Sequence, residues 1–252
     1  MGKTILLTGG TGKFGRVLAR YFISRGWEVV ITSRDEGALD SLRRELSNEN
    51  NGCHSIALDL QVEGAPEKLL ADLTERGLVI SHLINNARSI STLEVGESGV
   101  TDRNTFLGEF ELDVIVPYEL TLALAQSSFH QLMSVVNIGS QYGLVVPNPA
   151  LYEGSLKESP IQYGVSKAGV HQLTKELAVR LAPQNIRVNC VAFGGVEGRV
   201  NQAFVDRYAE LTPSRRMLYE SEIPGPIEFL LSESSTAING HVMVADGGWS
   251  LW

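Results

Sequence analysis

The chain has only two cysteines in 252 residues, Cys53 and Cys190, and they stand in no metal-binding or redox spacing. That excludes a disulfide-stapled scaffold and a cysteine-ligated zinc module. Basic residues are also in deficit. With 21 Lys and Arg against 29 Asp and Glu, the formal charge is −8. Such a surface repels phosphate backbones, so no nucleic-acid partner is expected. The histidines His54, His82, His130, His171 and His241 share no ligand spacing, and no metal is expected. No run of 18 apolar residues occurs. The charge-free stretch 120–152 is broken by Gln126, Ser127, Ser128, His130, Gln131 and Asn137, so no membrane partner is expected either. The N-terminus lacks the basic–apolar–small pattern of an export signal, and a cytoplasmic, reducing location is expected.

What is present is an alternation. Short runs rich in Val, Ile and Leu recur at Lys3–Thr8, Glu28–Thr32, Ser55–Leu58, Val79–Ile84, Met133–Ile138, Ile186–Val191 and His241–Val244. Each is too short for a helix and too continuous for a strand with one wet face, so strands buried on both faces are expected. Between them, Phe14–Arg25, Ala38–Leu46, Pro66–Arg76, Phe110–Ser128, Val165–Leu181 and Pro226–Leu231 carry helical spacing. With no linker and no repeat, residues 1–252 read as one α/β domain, a doubly wound Rossmann fold on a parallel seven-stranded sheet. The longest stretch without clear period, 139–161, is a candidate functional loop.

The first strand runs into Thr8–Gly15, TGGTGKFG, and then into a helix. Gly9, Gly12 and Gly15, three apart at the first strand-to-helix turn, suit close backbone approach to a pyrophosphate, with the helix N-terminus as donor. Thr11, Lys13 and Phe14 belong to the same turn; Lys13 either holds phosphate or caps it. The second strand ends at Ser33 and Arg34, where an acidic residue would mark a ribose 2′-hydroxyl and an arginine suits a 2′-phosphate. This favours NADP(H), with NAD(H) as the alternative, although an arginine here can also be a solvated surface residue. Further on, Tyr163 and Lys167 stand at i and i+4, on one helix face. Ser140 closes a strand at the carboxyl edge of the sheet, where ligands bind in such folds.

Taken in order, TGGTGKFG, Asp59, Asn85-Asn86-Ala87, Ser140, the YGVSK at 163–167, IRVNCV and Asp246-Gly247-Gly248 resemble the short-chain dehydrogenase/reductase family over nearly the whole chain. The resemblance implies hydride transfer between a nicotinamide and a carbonyl or alcohol. It implies Tyr163 as general acid/base, Lys167 as its helper and holder of the nicotinamide ribose, and Ser140 as donor to the substrate oxygen. It further implies Asp59 and Leu60 by the adenine, Asn86 and Ala87 by the adenosine ribose, and Gly194 and Val196 along the cofactor. A homo-oligomer, dimer or tetramer, is implied as well.

The chain departs from the family pattern in several places. Lys13 replaces a glycine, Arg88 follows the Asn-Asn-Ala run, and Phe193 precedes Gly194 where a proline is usual. Asp113 falls where the fourth catalytic residue is an asparagine; it keeps acceptor atoms and loses the amide donor. The segment 141–162 is longer than usual. With the LYEG element and the tryptophan-rich C-terminus it resembles a narrower group, the flagellin-modification protein A-type oxidoreductases of nonulosonic-acid sugar pathways. That implies a small-molecule substrate, a polar sugar or sugar phosphate, with Gln141, Tyr152 and Glu153 meeting hydroxyls and Arg88 or Arg199 an anionic group. On this expectation 141–162 walls the substrate pocket, although it could instead pack only against a neighbouring subunit. The alternatives are a 3-oxoacyl-type reductase, or a nucleotide-binding scaffold whose catalysis has been retired.

Overall fold

The computed structural model describes residues 3–46, 52–96, 98–152, 159–198 and 200–252. Seven strands form one sheet: β1 (Thr4–Leu7), β2 (Glu28–Ser33), β3 (Cys53–Ala57), β4 (His82–Asn85), β5 (Ser134–Ser140), β6 (Arg187–Phe193) and β7 (Val242–Ala245). Their order is β3-β2-β1-β4-β5-β6-β7, and every pairing is parallel. Parallel neighbours require crossovers. The helices are α1 (Lys13–Ser24), α2 (Glu36–Leu46), α3 (Ala65–Glu75), α4 (Arg103–Phe110), α5 (Val116–Gln126), α6 (Ile161–Leu181), α7 (Gln202–Leu211) and α8 (Pro224–Leu231). Among the described residues, no helix is long and apolar enough to cross a membrane.

The apolar runs are continuous in the central strands because these are covered on both faces, whereas the edge strands β3 and β7 are only partly buried. In β1, Ile5 and Leu7 enter one core with Leu18 and Phe22 of α1, Leu42 of α2 and Ile227 of α8. Leu6, between them, enters the other core with Leu69 of α3, Leu120 of α5 and Leu177 of α6. Side chains alternate along a strand, so two helical layers demand apolar residues at every position. Each such side chain contributes about 1.5–3 kcal/mol by burial.

Two departures from the sequence expectation bear on the site. Phe110–Ser128 is not one helix. It comprises the end of α4, a π-helical segment over Glu111–Ile115, and α5. Pro117 has no N–H, so the Asp113 carbonyl cannot take the usual bond from four residues on, and the helix widens there. The long loop after β5 also has structure. It makes short 3-10 turns at Gln141–Gly143 and Pro149–Leu151.

Candidate active site

The carboxyl ends of the central strands open onto a cavity of about 650 Å³. It lies across the reversal in strand order between β1 and β4, where α/β sheets of this kind leave a crevice. Four bonds rivet the floor of that crevice. Thr8 Oγ1 accepts from the backbone N–H of Asn86 and of Ala87, each at 2.9 Å. Asn86 Nδ2 donates to the Thr8 and Gly9 carbonyls at 2.9 and 3.1 Å. Asn85 turns the other way and donates to Asn137 Oδ1 at 2.8 Å.

The glycines of the first turn have different tasks. Gly9 sits at φ +66°, and a Cβ there would come 2.7 Å from Ala87 Cα. A Cβ on Gly15 would lie 2.3 Å from the Gly9 carbonyl oxygen. Gly15 is therefore packed beneath the turn and does not line the cavity, contrary to its expected place at the cofactor. A Cβ on Gly12 would meet only Gly9 O, at 3.3 Å, and Gly12 does line the cavity. Gly12 also starts α1 with no capping side chain and no acidic residue in the first turn. The free N–H groups and the positive helix end fit a dinucleotide pyrophosphate.

The remaining residues expected at a cofactor divide along this cavity. Thr11, Ser33 and Arg34 line one end with Asp59 and Leu60; Asn86 and Ala87 follow β4, and Gly194 and Val196, after β6, lie beside Lys13 and Phe14. Thr11 and Ser33 join their hydroxyls at 2.8 Å. Arg34 is exposed at the rim, with Nη2 3.5 Å from Ser89 Oγ. The neighbouring acid, Asp35, accepts from the Ala38 N–H at 2.9 Å and so caps the start of α2. Lys13 reaches across the mouth. Its Nζ donates to the carbonyls of Glu197 and Val196 and lies 3.6 Å from a Glu220 carboxylate oxygen.

Ser140, Tyr163 and Lys167 line the same cavity. Ser140 terminates β5 and accepts from the Tyr142 N–H at 3.2 Å. Tyr163 and Lys167 occupy successive turns of α6, with Lys167 Nζ 5.7 Å from the Tyr163 ring centroid. The Arg88 guanidinium stacks over that ring at 4.4 Å. Lys167 Nζ donates to Asp113 Oδ1 at 2.9 Å and to the Ile138 carbonyl at 3.1 Å. Burial alone would push the Lys167 ammonium down; the Asp113 carboxylate and then Tyr163 outweigh it and hold Lys167 above its ordinary value. Asp113 does not line the large cavity, because the π-helical segment turns it in behind Lys167. With Asn85 and Lys167 it bounds a separate cavity of about 10 Å³.

Of the residues expected at a substrate, Arg88, Gln141 and Tyr152 line the large cavity. Gln141 is already engaged: its Oε1 accepts from Tyr208 OH at 3.0 Å, and that oxygen accepts from the Gly195 N–H at 2.9 Å. Tyr152 packs edge-on against Phe204 of α7 at 6.1 Å. Glu153 and Arg199 lie outside the described residues. Two tyrosines join the wall without having been expected there. Tyr142 packs edge-on to Tyr163 at 6.4 Å, and burial followed by its Tyr152 neighbour pushes its phenol up. Tyr208 stacks on Trp249 at 4.4 Å. The signal for Tyr142 was its place two residues after Ser140. Tyr208 was legible only through the Phe204–Tyr208–Leu211 spacing of a helix, α7, that had not been expected.

Known proteins share this arrangement of chain. Residues 13–250 match a family model described as enoyl-(acyl carrier protein) reductase. The chain is 27% identical to the post-translational flagellin modification protein A of Campylobacter coli, covering 99% of this chain and 98% of that one. It is 28% identical to the 3-oxoacyl-(acyl-carrier-protein) reductase of Aquifex aeolicus, covering 98% and 97%. Among solved structures, a short-chain dehydrogenase from Leptospira borgpetersenii with bound NAD+ superposes with a TM-score of 0.84 at 25% identity, covering 99% and 93%.

Proposed function

The chain belongs to the short-chain dehydrogenase/reductase family of nicotinamide-dependent oxidoreductases, and from that premise we propose that it is an NADP(H)-dependent enzyme acting on a carbonyl or secondary alcohol of a polar sugar derivative. The observation that carries the reading is that Ser140, Tyr163 and Lys167 line the same cavity as the glycine turn.

On this reading the turn at Gly9–Gly12 and the N-terminus of α1 receive the pyrophosphate, Asp59 and Leu60 the adenine, and Asn86 and Ala87 its ribose. Arg34, Ser33 and Thr11 receive a 2′-phosphate, which is supported by the absence of an acid at 33 and 34 and by the use of Asp35 as a helix cap. The nicotinamide, when bound, gives or takes the hydride. Ser140 Oγ donates to the substrate oxygen and orients it. Tyr163 gives its phenolic proton to that oxygen in reduction and takes it in oxidation. Lys167 holds the nicotinamide ribose and presents positive charge beside the phenol. Asp113 keeps that lysine charged and its side chain fixed. The hydroxyls of Tyr142 and Tyr152 suit a hydroxyl-rich ligand, and Arg88 suits a carboxylate or phosphate on it.

Calorimetric titration of NADP+ and NAD+ tests the cofactor. An Arg34–phosphate pair is worth about 1.5–3 kcal/mol, or roughly one to two decades of affinity, and Arg34→Ala should abolish that preference. Tighter binding of NAD+ by the wild type would overturn it. Turnover of acyl thioesters alone, with none across a panel of sugars and sugar phosphates, would replace the sugar reading with the acyl-reductase one. Tyr163→Phe should lose most turnover while binding cofactor as the wild type does.

A further inference from the structure

Among the residues of α4, the buried one is an acid. Glu109 is 1% exposed, one turn ahead of Asp113. A carboxylate in such a place is costly unless both oxygens are satisfied. Glu109 Oε1 has no hydrogen-bond partner among the described residues. Oε2 meets the Thr92 hydroxyl. That hydroxyl also lies 3.1 Å from the Ser89 carbonyl oxygen, which can only accept. Thr92 has one proton to give. If it goes to Ser89, the contact with Glu109 needs a proton from the acid. A neutral Glu109 completes both bonds, whereas an ionised one leaves two acceptors competing for one hydrogen.

The charges facing Glu109 come from three elements. Asp113 stands on the π-helical segment, Arg88 on the loop after β4 and Lys167 on α6. Burial and then Asp113 push the Glu109 carboxyl up; Thr92, Arg88 and Lys167 oppose them, and the upward causes win.

We propose that Glu109 carries its proton in the resting protein and acts as a positioning residue, so that Asp113 is the single carboxylate charge beside Lys167. This rests on the reading in which Lys167 serves the nicotinamide end of the cavity. Once Glu109 ionises, a second anion competes for the same ammonium and draws it away from Tyr163.

The protein with 13C-labelled glutamate carboxyls is titrated by NMR, and pH–rate profiles of the NADP(H)-dependent reaction are recorded for wild type and Glu109→Gln. The expected result is one carboxyl resonance with a midpoint above the ordinary glutamate range, absent from Glu109→Gln. Thr92→Val, which lacks the hydroxyl, should move that midpoint and so identifies the resonance if Glu109→Gln does not fold. The wild-type kcat should fall about tenfold per pH unit above the midpoint. Glu109→Gln should lack that limb and leave KM unmoved, a change that a purely structural role would not produce. A midpoint in the ordinary range overturns the proposal, and so do superimposable pH–rate profiles. The NMR titration needs no turnover, so it decides the protonation of Glu109 even where absent activity has sunk the functional reading.

Discussion

The guanidinium of Arg88 sits over the ring of Tyr163, 4.4 Å from its centroid. The cation lines the same cavity as the phenol and is itself exposed. Arg88→Ala should therefore raise KM for an anionic substrate about tenfold to a hundredfold, the worth of a charge-assisted hydrogen bond. A neutral analogue of the same substrate should be affected far less. Equal losses on both, measured by steady-state kinetics, would show that Arg88 acts on the ring and not on the ligand.

Asp113→Asn should cost about 3–5 kcal/mol at pH 7, because it leaves the buried Lys167 ammonium without its counter-charge. The sign with pH follows from the raised lysine. A lysine raised in the folded state stabilises fully below the unfolded value of about 10.4, and this is lost as pH climbs through the folded value. The gap between wild type and variant should thus narrow above about pH 10. Urea unfolding at pH 7 and above pH 10 measures it, and a gap that is constant with pH refutes the assignment.

Two glycines of one turn should respond oppositely. Gly15→Ala puts a methyl 2.3 Å from the Gly9 carbonyl oxygen, and the backbone must move. It should destabilise by about 1–3 kcal/mol. Gly12 has an ordinary extended backbone, φ −72° and ψ 173°, and a Cβ there would meet only the Gly9 carbonyl oxygen, at 3.3 Å. Gly12→Ala should keep the wild-type Tm and weaken cofactor binding. Thermal melts and a cofactor titration of both variants separate the two roles.

His82 and His171 are buried, and burial pushes each imidazole down to about 4. The unfolded chain takes up these protons near pH 6.5, before the folded one does. Stability from the neutral rings is therefore fully present above about 6.5 and is lost as pH falls toward 4, on the order of 3 kcal/mol for each. His82→Phe keeps an aromatic ring against Trp27, which His82 meets edge-on at 5.0 Å. It should make the acid slope in chemical denaturation shallower, because one of the buried imidazoles no longer has to take up a proton. An unchanged slope would mean that other groups govern acid lability.

The sheet is legible in the sequence because both faces of its central strands are buried, which writes short runs rich in Val, Ile and Leu, such as TILL in β1 and SVVNI in β5. The break at Asp113 is not. Helical spacing runs smoothly through Phe110–Ser128, and only Pro117 hints that a carbonyl four residues back loses its donor. α4 carries no apolar stripe in the sequence because Glu109 occupies its buried position, where an apolar residue would mark the face. Motif spacing assigns Gly15 to the cofactor, but spacing cannot tell a glycine needed for backbone packing from one needed for a ligand. Which loops meet at the cavity also depends on long-range contacts: the Tyr208 bond to Gln141 spans 67 residues.

The four bonds between Thr8, Gly9, Asn86 and Ala87 fix the ends of β1 and β4 against each other before any ligand arrives. An unfastened crevice would have to surrender its own freedom each time a long, flexible dinucleotide settled into it. Here that ordering is already done during folding, so association is charged only for the ligand's motion and for the side chains at the rim. Weakening the rivet, as Thr8→Val would by deleting the hydroxyl that accepts two backbone N–H groups, transfers part of the cost of folding to every round of binding.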